Sequence, residues 1–163
     1  MNGIVVYYSW TGNTEIVARE IAKALKIDIR SLKEVKERKA AAGFMGAAFR
    51  ALMGAKSRLR DVNYNLEGYN TVFLGTPIWA WHTTPAINTF VHYADFQQKK
   101  VFLFVTSSSG KTTRPFESLS KRVQKRRGIV TGSFSFKTEF NKNPEPDDVK
   151  PLIIEWLKTL DLK

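Results

Sequence analysis

Two hydrophobic rhythms alternate along this chain. Gly3-Ile4-Val5-Val6-Tyr7-Tyr8 is a nearly continuous β-prone apolar run, as expected of a strand covered on both faces. Beyond Ser9-Trp10-Thr11-Gly12-Asn13-Thr14 the period changes, and Ile16, Val17, Ile21, Ala24 and Leu25 mark the inner face of a helix. Ile27-Asp28-Ile29 predicts a short second strand, and residues 69–74 and 101–105 predict two more apolar strands. Between those two, residues 85–93 read as a helix with Ile87, Phe90 and Val91 facing in. Thr112 or Thr113 caps a further helix with Pro115 in its first turn, and Gly128 ends it. A fifth strand lies within residues 129–140, where Phe134, Phe136 and Phe140 alternate. Residues 143–148 open a final helix whose acids suit its dipole, and Val149, Leu152, Ile153, Trp156, Leu157 and Leu160 form its inner stripe.

Strands that alternate with helices predict a parallel sheet covered on both faces. A length of 163 residues, 43% of them hydrophobic, suits one domain spanning 1–163. A chain of that size buries a sufficient core without disulfides or metal. The absence of cysteine excludes a disulfide framework, an iron–sulfur cluster, a thiolate zinc site and a cysteine nucleophile. His82 and His92 are the only histidines, so no metal site is expected. No apolar run approaches the roughly 20 residues that cross a bilayer. The N-terminus lacks the pattern of a secretory signal, and a soluble cytoplasmic protein is the expectation.

Charge adds a second layer. The formal net charge is +11, a field that favours acidic partners without bearing on the fold. Residues 33–60 hold eight basic and two acidic side chains, and residues 111–127 hold seven and one, so each segment carries +6 and the remainder is nearly neutral. The first segment belongs to an insertion at about 33–67, longer than the crossover of roughly a dozen residues that joins parallel strands. Within it Phe44 or Met45, Phe49, Leu52 and Met53 approach helical spacing, while Gly43, Gly46 and Gly54 argue against one rigid helix. A crossover helix with solvated basic flanks is the plain reading. A lid, a dimer surface or a contact with an acidic membrane or protein are the sharper ones. In the second segment Lys121, Arg122, Lys125, Arg126 and Arg127 share a predicted helix, and a solvated face and a docking surface for an acidic protein weigh evenly. Nucleic-acid binding ranks lower, because no recognition motif accompanies the charge.

In an open parallel sheet, ligands bind beyond the carboxyl ends of the strands. The first such end is Ser9-Trp10-Thr11-Gly12-Asn13-Thr14, whose glycine, hydroxyls and amide sit beside the unpaired N–H groups of a helix start, a suitable phosphate cradle. It has neither the lysine of a nucleoside-triphosphate loop nor a G-x-G-x-x-G dinucleotide fingerprint. The second end, residues 75–85, reads as a rigid loop carrying Trp79 and Trp81, whose flat indoles suit a planar aromatic ligand. For Trp81 a packing role and a ligand role stand equally open. The third, Thr106-Ser107-Ser108-Ser109-Gly110-Lys111, is a small polar loop fit to bond the edge of a heterocycle. His82 reads as a surface or helix-packing residue, with tuning or gating of the site as the sharper reading, and His92 as a residue of its helix.

On these three segments the chain resembles the flavodoxins and flavodoxin-like FMN proteins over nearly its whole length. The resemblance implies a flavodoxin-like three-layer α/β/α sandwich whose five-stranded parallel sheet runs in the order 2-1-3-4-5, with one non-covalent FMN. It places Ser9, Thr11, Gly12, Asn13 and Thr14 at the phosphate, with Trp10 of the same loop among the cofactor-binding residues. Thr76, Pro77, Ile78 and Trp79 would line the isoalloxazine, and Ser107, Ser108, Ser109 and Gly110 its polar edge. This chain departs from many relatives in its basic charge and in the serines of the third loop, where an aromatic often covers the flavin. The first expectation is therefore an FMN electron-transfer protein passing one or two electrons, with no catalytic acid, base or nucleophile and an acidic redox protein as partner. An FMN-dependent NAD(P)H oxidoreductase acting on a quinone or small acceptor is the alternative, and a basic nucleic-acid- or membrane-binding scaffold ranks third.

Overall fold

A computed structural model of the chain describes residues 1–35, 55–139 and 142–162. Strand β1 (Gly3–Tyr8) leads into helix α1 (Asn13–Leu25) and strand β2 (Asp28–Leu32). Strand β3 (Thr71–Trp79), the two-residue strand β4 (His82–Thr83) and helix α2 (Pro85–Tyr93) follow. Strand β5 (Lys100–Ser107), helix α3 (Thr113–Lys125), strand β6 (Ile129–Lys137) and helix α4 (Pro146–Lys158) complete the order.

Every residue of β1 is buried, as its unbroken apolar run requires of a strand with helices on both sides. It pairs in parallel with β2 and β3, β3 pairs with β5, and β5 with β6, giving the order β2-β1-β3-β5-β6. These five strands have the 2-1-3-4-5 topology expected of them; β4 is an addition, antiparallel to the end of β3.

Alternation along the strands divides the core. Ile4, Val6, Tyr8, Val72, Leu74 and Leu103 join Ile87 and Phe90 of α2 and Leu119 and Val123 of α3 on one face. Val5, Tyr7, Phe73, Phe102 and Phe104 meet Val17 and Ile21 of α1 and Ile153 and Trp156 of α4 on the other. Phe73 stacks on Phe102 at 5.0 Å, and Trp156 meets Phe73 edge-on at 5.9 Å. Burying each such ring is worth roughly 1.5–3 kcal/mol.

Several expectations need correction. The third strand continues past residue 74 to Trp79, and the second runs over Asp28–Leu32. Ala24 of α1 and Leu152 of α4 point to solvent, since each falls just outside the arc facing the sheet. The fifth long strand ends at Lys137, and Phe140 lies outside the described residues. So do residues 36–54, which contain the glycines and the Phe44-to-Met53 spacing of the insertion. Its described ends are tied down. Val35 N–H donates to Arg58 O at 2.9 Å and Arg60 N–H to Lys33 O at 2.8 Å, extending the site edge of β2. Ser57 N–H donates to Thr89 Oγ1 at 2.9 Å and Asn88 Nδ2 to Ala55 O at 3.2 Å, fastening the returning chain to α2.

Candidate functional site

Parallel pairing brings the carboxyl ends of β1, β3 and β5 to one edge of the sheet, and with them the three segments singled out in the sequence. The first turns on Gly12, whose φ of 99° an L side chain rarely adopts. Its N–H donates to Ser9 Oγ at 3.2 Å, closing the loop on itself. The first intrahelical bond of α1 is Ile16 N–H to Gly12 O at 3.0 Å, so the amides of Asn13, Thr14 and Glu15 precede it and lack helical acceptors. No side chain caps this end. The amide oxygen of Asn13 is buried with no partner, an acceptor without a donor. Thr11 is exposed and Thr14 fully buried.

The second segment is not the rigid loop its sequence suggests. Gly75 to Trp79 is strand, and the chain reverses through Ala80 and Trp81, with Trp79 opposite His82 and Ile78 opposite Thr83. Both reversing residues have positive φ, 46° and 61°, the signature of a type I′ turn made without the usual Asn-Gly. His82 Nδ1 lies 2.6 Å from Ala80 O and braces the turn. Thr76 is buried, its Oγ1 3.0 Å from Thr84 Oγ1. Trp79 is 4% exposed and meets Tyr8 and Trp10 edge-on at 5.8 and 5.5 Å. Trp81, at the tip, is 54% exposed. The exposed indole of this segment is therefore Trp81, while Trp79 belongs to the core beneath it.

The third segment begins with buried Thr106 and Ser107 and emerges at exposed Ser108, Ser109 and Gly110, where φ is 70°. Ser107 Oγ and Ser109 Oγ are 3.2 Å apart, and Lys111 N–H donates to Ser109 Oγ. One bond joins this loop to the first: Thr14 Oγ1 and Thr106 Oγ1 are 2.7 Å apart in the interior. Trp10 against Trp79 joins the first to the second. Of the residues expected at the site, Ser9, Trp10, Thr11, Gly12, Asn13, Pro77, Ile78, Ser108, Ser109 and Gly110 have surface open to solvent. Thr14, Thr76, Trp79 and Ser107 support them from within.

Two neighbours went unread in the sequence. Asn143, just before α4, places Nδ2 3.0 Å from where a Cβ on Gly12 would stand. The contact depends on α4 lying beside α1, and no local pattern announces it. Glu34 is buried at the end of β2, where Tyr8 Oη donates to its Oε2 at 3.1 Å. Among the described residues no group of His, Cys, Asp and Glu could hold a metal ion, and no helix is long and apolar enough to cross a membrane.

The flavodoxin family model matches residues 2–133. No curated protein matches significantly in sequence. Among solved structures, a Bacteroides uniformis protein described as a flavoprotein has a TM-score of 0.76 at 23% identity, covering 97% of this chain and 98% of its own. A Lactobacillus acidophilus flavoprotein in complex with FMN scores 0.67 at 19% identity over 82% of this chain and 92% of that one. Oxidised flavodoxin 2 from Bacillus cereus scores 0.59 at 15% identity over 98% and 100%. These likenesses concern the fold, and the family match spans most of the sequence. The chain belongs to the flavodoxin family.

Proposed function

We propose that this chain holds one non-covalent FMN at the carboxyl edge of its sheet and passes one or two electrons between redox partners, one of them an acidic protein. The observation that carries the reading is the Gly12 turn. It leaves the leading amides of α1 without helical acceptors, directly after a loop that carries the hydroxyls of Ser9 and Thr11. A phosphate monoester supplies the acceptors those donors lack, and the helix end favours its charge by about 0.3–2 kcal/mol. The unpartnered Asn13 oxygen fits the same ligand, because a ribityl hydroxyl is the donor it wants.

Each residue then has a definite task. Ser9 accepts from Gly12 N–H and keeps its own proton to donate outward. Thr14 fixes the phosphate turn to the third loop through Thr106, so the two ends of the ligand are held in register. Pro77, Ile78 and the Ser108–Gly110 turn border the ring, and Trp81 offers an indole face to it. Bound FMN supplies the redox chemistry, and the protein contributes orientation, contacts at the ring edge and the surrounding field. No general acid, base or nucleophile is needed.

A second reading, an FMN-dependent NAD(P)H oxidoreductase, is favoured by the exposed third loop. Ser108 and Ser109 put no large side chain over the approach to the ring. Titration of the purified chain with FMN and with riboflavin tests the shared premise. FMN is expected to bind at least tenfold more tightly, and equal affinity, or none, would overturn it. Addition of NADPH to the loaded protein then separates the readings, since a carrier oxidises it slowly and a reductase turns over.

A further inference from the structure

We propose that the exposed side of α3, with the exposed cations of the returning insertion on the same flank, is a docking face for an acidic protein, recognised by charge. Its role as the site of electron exchange rests on the function proposed above, whereas its preference for acidic protein does not. The two faces of the molecule differ sharply. Helix α1 carries Arg19 and Lys23 against Glu15 and Glu20, and α4 carries Lys150 and Lys158 against three acids, so that face is near neutral. From Arg114 to Arg127 the opposite face holds six basic residues against Glu117 alone. Lys56, Arg58 and Arg60 of the returning insertion add three more on the same flank, tied to α2 and to the end of β2.

This concentration costs the fold something. Lys121 with Lys125 is a like-charge pair at helical i,i+4 spacing, destabilising by roughly 0.2–0.5 kcal/mol. No ion pair among the described residues engages a cation of this helix. The helix dipole accounts for Arg122 and Lys125 in the last turn, and Arg126 Nε donates to Ala94 O at 3.2 Å. Neither accounts for Arg114 or Lys121, both exposed.

The surroundings select the partner. Buried Pro115, Leu119 and Val123 fix the inward side of α3, leaving Arg114, Glu117, Lys121, Gln124 and Lys125 exposed on the other. That row has no large apolar side chain to enter a bilayer. Exposed Trp81 and Tyr93, 54% and 58% accessible, flank α2, and aromatic residues with arginine are the usual anchors of protein interfaces. The hairpin bearing Trp81 packs against α3, so a protein docked here lies next to the candidate site. The basic row extends from that edge down a 13-residue helix of about 20 Å.

The intact chain is titrated with poly-L-glutamate, with a mixed-sequence DNA duplex and with anionic lipid vesicles at matched charge concentration. Polyglutamate is expected to bind most tightly. The triple variant Lys121→Glu, Lys125→Glu, Arg127→Glu should weaken that binding at least tenfold. The control Lys23→Glu, Lys150→Glu, Lys158→Glu changes the net charge equally on the other face and should weaken it less than threefold. Equal losses in the two variants would mean that net charge alone matters and would overturn the docking face. Tighter binding of duplex or vesicles would overturn the assignment to protein. Circular dichroism confirms that both variants fold. FMN affinity, measured in parallel, should be the same in both, and a wild-type chain that fails to bind FMN refutes only the cofactor reading.

Discussion

Two glycines near the candidate site illustrate different constraints at the residue scale. A Cβ on Gly75 would stand 2.0 Å from Cζ of Phe104, a ring buried between β3, β5 and the helices and unable to move aside. Gly75→Ala should therefore cost about 1–3 kcal/mol in urea unfolding, as overpacking does. Gly12 is constrained by its backbone, since an L residue in left-handed φ costs roughly 1–2 kcal/mol. Gly12→Ala should weaken FMN about tenfold and leave riboflavin unchanged, because only FMN engages that turn. Thr14→Val isolates a third effect: it strips the buried Thr106 hydroxyl of its partner, at about 1–3 kcal/mol of stability. Tyr7 predicts a pH effect. Burial raises its phenol above the usual value near 10, so its stabilising contribution is complete below pH 10 and is lost as pH rises through the raised value. Tyr7→Phe should flatten the alkaline limb of the stability profile.

At the scale of elements, the hairpin at the end of β3 sets two consecutive non-glycine residues at positive φ. Ala80 and Trp81 occupy a turn that prefers Asn-Gly, and strain of this kind persists where a function requires the side chain. Trp81→Gly should raise the melting temperature while lowering affinity for FMN and riboflavin alike, since the indole would face the ring both share. Trp79→Ala should instead lower the melting temperature first, its ring being packed on Tyr8 and Trp10. Pattern alone could not separate the two tryptophans. Gly75-Thr76-Pro77 reads as a breaker, because glycine and proline both weaken strands. Yet Pro77 sits at the last parallel pair with β5, opposite Thr106, where the ladder is ending and loss of a donor costs little. With the strand ended too early at residue 74, the burial of Trp79 and the exposure of Trp81 were hidden together. Helix α2 was legible to the residue because Pro85 starts it, although its sides are hidden almost all round, Pro85 to Val91 being buried without a break. The Gly12 loop was legible for a related reason: its conformation is local, dictated by glycine and the helix that follows. Asn143 and Glu34 were not, because their contacts are made by elements far apart in sequence.

The whole molecule adds a field that no single residue supplies. Nine basic residues, six within 114–127 with Lys56, Arg58 and Arg60, lie on the α2/α3 side, and Lys111 and Arg114 bring positive charge to the rim of the site as the third loop passes into α3. Positive potential stabilises whichever state of a bound cofactor is more negative, which for FMN is the reduced one. Reduction should accordingly be easier here than in a chain of opposite charge, and the advantage should depend on salt. The Debye length falls from about 30 Å at 0.01 M to about 8 Å at 0.15 M, so the cations along α3 drop out of range before those at the rim. Potentiometric titration of the FMN-loaded protein should show the midpoint potential falling as salt is raised across that interval. The Lys121→Glu, Lys125→Glu, Arg127→Glu variant should start lower at 0.01 M and respond less, because the distant charges that screening removes are already gone. A midpoint that rises with salt, or a variant indistinguishable from the parent at 0.01 M, would mean that the contacts at the ring, and not the charge of the face, set the potential.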